Sequence, residues 1–249
     1  MIVTINIRNI NINYIQYGSG SDVVLLHGWG QNIAMMKPIG DRLQKNHRIT
    51  ILDFPGFGES EEPKTALTVY DYCEILEELL KKLKVKKPVI MGHSFGGRIA
   101  IIYASRNEVE KVVLFGSPCI RKEVKPSLKL RMLKSLKKIP GINKLEGFAK
   151  NHMGSRDYKN ASEVMKKILV NVVNEDLSEC AKKINVPTLL IWGDRDTEAP
   201  VEDAKELEKI IPDAGLIVLP NAALIVLPGT HYAYLENLGQ VINILNNFL

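Results

Sequence analysis

Residues Val89-Ile90-Met91-Gly92-His93-Ser94-Phe95-Gly96-Gly97 decide how this chain folds. The apolar run Val89 to Met91 reads as a strand buried on both faces, and Arg98-Ile99-Ala100-Ile101-Ile102-Tyr103-Ala104 reads as a helix. Between them, Gly92-x-Ser94-x-Gly96 is a sharp turn. Gly92 and Gly96 permit a strained backbone and a helix–strand approach that side chains would block. Ser94 is thereby lifted to the end of a sheet, with a helix N-terminus behind its hydroxyl.

Working outward, Ile2 to Ile7 and Ile12 to Tyr17 alternate apolar and polar residues around Arg8-Asn9, the pattern of a β-hairpin. Val23 to Leu26 is a buried strand that ends at His27-Gly28-Trp29-Gly30, and a short helix follows to about Lys45. Arg48 to Leu52 is the next strand, stopped by Asp53-Phe54-Pro55-Gly56-Phe57-Gly58-Glu59-Ser60. Thr68 to Leu83 carries apolar residues at helical spacing, and Lys111 to Phe115 is another strand. From Cys119 to about Ile184 the alternation lapses into helices broken at Pro126, Pro140-Gly141 and Gly154. Val186 to Trp192 resumes the sheet, Pro200 to Ile211 is helical, and a last strand region leads through Gly229-Thr230-His231 to a helix from Leu238 to Leu249. Strands alternating with helices predict an α/β chain with a doubly wound, mostly parallel sheet. The loops at His27, Asp53, Ser94, Asp196 and His231 all follow predicted strands, so they are expected to share the carboxyl edge where sites in such sheets lie.

The composition excludes several classes. A net charge of +5 over 249 residues is mild, and the lysines are interspersed with glutamates, so no nucleic-acid partner is expected. Three widely spaced cysteines fit reduced thiols better than disulfides or a metal site. With no basic-then-apolar start and no run long enough to span a bilayer, a cytoplasmic chain without stable membrane anchoring is expected. The Gly-rich turns lack the Lys-[Ser/Thr] of a phosphate loop, and no dinucleotide fingerprint is present, so no cofactor and no metal are expected.

A serine hydroxyl attacks only when a base takes its proton and a carboxylate fixes the tautomer of that base. His231, following a strand, is the best base. His27 sits in a Gly-rich turn, His93 inside the elbow, His47 in a polar connection and His152 in the irregular segment. Trp192-Gly193-Asp194-Arg195-Asp196 offers two acids, and spacing does not choose between them; either could instead cap the next helix or pair with Arg195. An oxyanion site needs two N–H donors, and the Phe95 amide and the Trp29 amide are the candidates.

Together these motifs resemble the α/β-hydrolase superfamily, of the lidded carboxylesterase and C–C hydrolase type. Ser94, Asp196 and His231 follow the family's chain order, and His27-Gly28-Trp29-Gly30 is similar to its oxyanion loop. Asp53-x-Pro55-Gly56-x-Gly58-x-Ser60 is similar to the turn after its next strand. Gly193-x-x-Asp196-x-x-x-Pro200 is similar to its acid loop, which favours Asp196 over Asp194. The resemblance implies a hydrolase core over residues 1–118 and 185–249, with a helical cap over 119–184 inserted after the sixth strand. It implies a serine hydrolase acting on a small-molecule carboxylic ester through an acyl-enzyme. A C–C hydrolase, a thioesterase or a slowly turning ligand receptor is the alternative. Serine at the nucleophile position argues against dehalogenases and epoxide hydrolases. Within the cap, the basic run from Arg121 to Lys138 reads as an amphipathic helix with a solvated cationic face; preference for anionic substrates or a membrane surface is the weaker reading.

One departure is a tandem repeat. Ala214-Gly215-Leu216-Ile217-Val218-Leu219-Pro220-Asn221 is followed by Ala222-Ala223-Leu224-Ile225-Val226-Leu227-Pro228-Gly229. His231 follows the second copy directly, so the second copy is expected to fill the strand position. The spare copy, left as a loop or an edge strand, would favour a homo-oligomer through residues 212–229.

Overall fold

A computed structural model describes residues 3–120, 161–212 and 222–249. Strands β1 (Val3–Ile7) and β2 (Ile10–Gly18) pair antiparallel, and Arg8 and Asn9 between them take φ of 51° and 62°. Two successive left-handed residues give the turn whose twist matches its flanking strands. The chain continues through β3 (Ser21–Leu26), α1 (Ile33–Leu43), β4 (His47–Leu52), α2 (Val69–Lys82), β5 (Val89–His93), α3 (Phe95–Arg106) and β6 (Lys111–Phe115). After the inserted segment come α4 (Glu163–Asn174), α5 (Ser178–Ala181), β7 (Thr188–Gly193), α6 (Val201–Ile210), β8 (Ala222–Leu227), α7 (Ala233–Glu236) and α8 (Leu238–Phe248).

The sheet has eight strands in the order β1-β2-β4-β3-β5-β6-β7-β8. Every pairing from β4 to β8 is parallel, and β2 pairs antiparallel with both β1 and β4, so it alone runs against the other strands. From β3 the chain steps one way to β4 and then back across to β5. That reversal opens a crevice at the carboxyl ends of β3 and β5.

Side-chain alternation sorts the central strands onto two cores. Val24, Leu26, Ile90, Val112, Leu114, Leu190 and Trp192 face α2 and α3, with α4 to α6 beyond. Val23, Leu25, Val89, Met91, Val113, Phe115, Leu189 and Ile191 face α1, α7 and α8. A strand covered on both sides must be apolar at every position, which is why these runs read as continuous.

Helix α2 begins where Thr68 and Asp71 cap each other reciprocally. Helix α3 starts at Phe95, earlier than the apolar spacing from Arg98 suggests. Glycines are poor helix formers, but close packing demands them here. A Cβ on Gly96 would lie 2.4 Å from the Leu26 carbonyl oxygen, and one on Gly92 would lie 2.5 Å from the Gly96 carbonyl.

Strand β8 consists of residues from the second copy of the repeat, in parallel register from Thr188↔Ala222 to Gly193↔Leu227. The first copy, with residues 213–221 of the proposed contact region, lies outside the described residues, as do residues 121–160 of the expected cap and their basic run. Among the described residues, no helix is long and apolar enough to cross a membrane.

Candidate active site

Ser94 holds φ 49° and ψ −111° between β5 and α3, a backbone that few non-glycine residues adopt. Its N–H donates to the Phe115 carbonyl across 2.9 Å, tying the elbow to β6. As the first residue of α3, Phe95 carries an N–H with no carbonyl one turn back to receive it.

The two acid candidates separate cleanly. Asp196 Oδ2 lies 2.8 Å from His231 Nδ1, and its Oδ1 accepts the Glu198 and Ala199 N–H groups at 2.9 and 2.8 Å. Both partners are buried, at 6% and 7% exposure. The fully buried Trp192 ring anchors this loop by donating Nε1–H to the Ala199 carbonyl at 2.9 Å. Asp194 instead accepts the Gly229 N–H at 2.7 Å and sits 3.6 Å from Arg195 Nε. Backbone bonds from Asp194 N–H to Leu227 O and from Arg195 N–H to Gly229 O zip the acid loop to the histidine loop. With Nδ1–H directed at Asp196, His231 keeps Nε2 for proton transfer; the carboxylate of Glu198 stands 3.6 Å from that nitrogen.

The loop after β3 is held from beneath. The Gly28 N–H donates to Gln31 Oε1 at 3.0 Å and the Gln31 N–H to the Gly28 carbonyl at 3.2 Å, with the Trp29 amide between them. His27 is fully buried. Its Nδ1–H faces the Gly28 carbonyl at 2.7 Å, and its Nε2 accepts the Phe54 N–H at 3.0 Å. Burial pushes its pKa down to about 4, so it serves as a neutral strut. The Trp29 ring meets Phe57 and Phe95 edge-on, with centroids 4.9 and 5.5 Å apart. The Asp53 carboxylate secures the neighbouring turn by accepting from Ile33 N–H, Asn13 Nδ2 and Glu59 N–H.

Three contributors escaped the motif reading. His93 lies against His231, with ring centroids 4.7 Å apart, and its Nε2 is 2.9 Å from the His231 carbonyl. Burial, then the nearby His231, lower its pKa to about 3. The neutral ring has one N–H, which we assign to this shorter contact; Nδ1 faces Gln31 Oε1 at 3.2 Å. His93 thus ties the elbow to the backbone of His231, while Gln31 holds the β3 loop through Gly28. The third is Gly116 at φ 48°, where a Cβ would stand 3.1 Å from Asp196 Oδ2 and 3.3 Å from His231 Nδ1. A polar residue in a Gly-rich loop and a glycine ending a strand were the only sequence signals for Gln31 and Gly116.

Ser94, Asp196 and His231 therefore stand at the carboxyl ends of β5, β7 and β8, with Trp29 and Phe95 flanking the crevice between β3 and β5. A family model described as the alpha/beta hydrolase fold matches residues 23–143. A pimeloyl-[acyl-carrier protein] methyl ester esterase from Aliivibrio fischeri is 26% identical over 93% of this chain and 95% of its own length. Lipase 3 of a Moraxella species is 29% identical over 81% of this chain and 70% of its own. Among solved structures, an esterase from Exiguobacterium antarcticum superposes with a TM-score of 0.76 at 23% identity, covering 100% of this chain and 99% of that one. The chain therefore has the α/β-hydrolase fold, and the relatives it is similar to are named as an esterase and a lipase.

Proposed function

We propose that this hydrolase cleaves small-molecule carboxylic esters through Ser94, His231 and Asp196. The observation that carries the reading is the 2.8 Å contact between His231 Nδ1 and Asp196 Oδ2. It fixes the tautomer in which Nε2 accepts a proton, beside an elbow that presents a serine. Ser94 Oγ attacks the ester carbonyl while His231 Nε2 takes its proton. The Trp29 and Phe95 amides hold the developing oxyanion, and His231 returns the proton to the leaving alcohol. Water, activated by the same base, then releases the acid. Asp196 stays ionised throughout and stabilises the imidazolium. Supporting turns come from His27, Gly28, Gly92 and Gly96.

The relatives named as esterases and a lipase support ester hydrolysis over other uses of such a triad. Free Cys73, Cys119 and Cys180 support a cytoplasmic setting. Assembly into a homo-oligomer through residues 212–229 rests on the sequence repeat; a strictly monomeric mass by light scattering over a concentration series would refute it.

The functional test is a panel of p-nitrophenyl acyl esters on wild type and Ser94→Ala. Multiple turnovers by wild type, abolished in the alanine variant, are expected. Equal rates for the two proteins, or a single turnover that stops, would sink the esterase reading.

A further inference from the structure

Arg98 lies one turn beyond Ser94 on α3, its N–H donating to the Ser94 carbonyl at 3.2 Å. Its side chain is buried, and it points away from the reacting groups. Nη1 donates to the Pro118 carbonyl at 2.6 Å and Nη2 to the Glu175 carbonyl at 2.5 Å. Pro118 is where the chain leaves the core after β6, and Glu175 is the C-cap of α4. The Leu177 N–H meets the Cys119 carbonyl at 2.9 Å beside them, so the outgoing and returning strands of the insertion cross at this guanidinium.

The other end of α4 reaches the loop after β3. Ala161, Ser162 and Met165 join Trp29, Gly30 and Phe57 around a cavity of about 290 Å³ above the β3 loop. Ser162 Oγ donates to Glu62 at 2.6 Å, and Met165 packs so closely on Gly56 that a Cβ there would touch its sulfur at 2.5 Å. Helix α4 therefore runs from the Arg98 fork to the rim of the cavity, a span of about 18 Å for its 12 residues. A buried guanidinium is an expensive way to hold two carbonyls unless their placement matters, since its charge has left water.

We propose that Arg98 is a positioning residue that sets the height and angle of α4 over the cavity, and through it the acyl groups the site accepts. It does so from the helix that begins at Ser94, so nucleophile and roof share one rigid support. The proposal rests on the esterase reading for its substrate consequence and on geometry alone for the pinning of α4.

The experiment compares wild type with Arg98→Met, which keeps the apolar stem, and Arg98→Lys, which keeps the charge but cannot span both carbonyls. Hydrogen–deuterium exchange should quicken by about 10-fold or more over residues 163–174 in both variants, with the sheet amides unchanged. With p-nitrophenyl esters, kcat on the acetate should stay within about 2-fold, while the ratio of kcat/KM on octanoate to that on acetate moves by about 5-fold or more. A merely stabilising residue would lower the unfolding midpoint without moving that ratio. Unchanged exchange in α4, or exchange that rises evenly across the molecule, overturns the pinning. An unchanged ester ratio overturns the specificity role. A wild type inactive on every ester defeats the esterase reading, and α4 exchange then decides the pinning alone.

Discussion

Asp194 accepts the Gly229 N–H over 2.7 Å, while Asp196, two residues on, accepts from the imidazole of His231. One loop thus divides two tasks between two like residues: Asp194 fastens the end of β8, and Asp196 orients the imidazole of His231. Substitution by asparagine separates them. Asn at 196 presents an amide N–H or forces the other tautomer, and kcat should fall by about 10³–10⁴-fold. Asn at 194 still offers a carbonyl oxygen to Gly229, so kcat should remain within about 10-fold. Steady-state rates on p-nitrophenyl acetate decide between them. A larger loss at 194 than at 196 would reverse the assignment.

The strained Ser94 backbone predicts an exchange of activity for stability. At φ 49° and ψ −111° a Cβ is unfavourable and a glycine is not. Ser94→Gly should raise unfolding free energy by about 1–2 kcal/mol, whereas Ser94→Ala, which keeps the Cβ, should not. Urea melts of both variants measure this, and a glycine variant no more stable than the alanine one would contradict it.

Buried neutral histidines give a pH dependence with a defined sign. His27 and His93 sit at about 4 and about 3 in the fold, below the ordinary 6.5. The unfolded chain therefore binds more protons than the folded one across that interval. Stability contributed by their neutrality is complete above about pH 6.5 and is lost as pH falls toward 3, with a limiting slope of about 1.4 kcal/mol per pH unit for each ring. His93→Gln offers an amide N–H toward the His231 carbonyl and cannot titrate. Its stability should fall less steeply between pH 6.5 and 4 than that of wild type, by about one histidine's share. Parallel curves would show that His93 does not bind that proton on unfolding.

The tandem repeat can be resolved by deletion. Removing residues 214–221 leaves the second copy joined to Thr230, as in β8, and activity within about 3-fold of wild type is expected. Removing 222–229 places Asn221 where Gly229 stands. There a Cβ meets Glu236 Oε2 at 2.5 Å and the Ala233 Cβ at 3.0 Å, and Glu236 is held in place by Thr230. That variant should be less stable than the other by about 1–3 kcal/mol. Equal melting temperatures would mean that the two copies are interchangeable at this site.

Much of this arrangement was legible from short-range pattern. The apolar runs of β3, β5, β6 and β7 announce strands covered on both faces, and the glycines around Ser94 announce the elbow. What was not legible depends on contacts between distant parts of the chain. Spacing alone leaves Asp194 and Asp196 equivalent; the resemblance of the acid loop favours Asp196, and the locations of Gly229 and His231 separate their contacts. His93 was set aside as a base because of its place in the elbow, yet its contact is with a carbonyl 138 residues away. Arg98 read only as the first residue of a helix, because nothing local indicates that Pro118 and Glu175 converge on it.

The repeat also shows what this edge of the sheet specifies. A strand repeats its facing every two residues, so an eight-residue duplication leaves the inward and outward pattern intact. Hydrophobicity cannot tell the copies apart. Reach can: from the last residue of β8 to His231 the chain allows Pro228, Gly229 and Thr230, and the bonds from Asp194 and Arg195 clamp that interval. The sheet edge acts as a measuring tape with its zero at Leu227, so one residue added between Leu227 and His231 is more disruptive than eight added before Ala222.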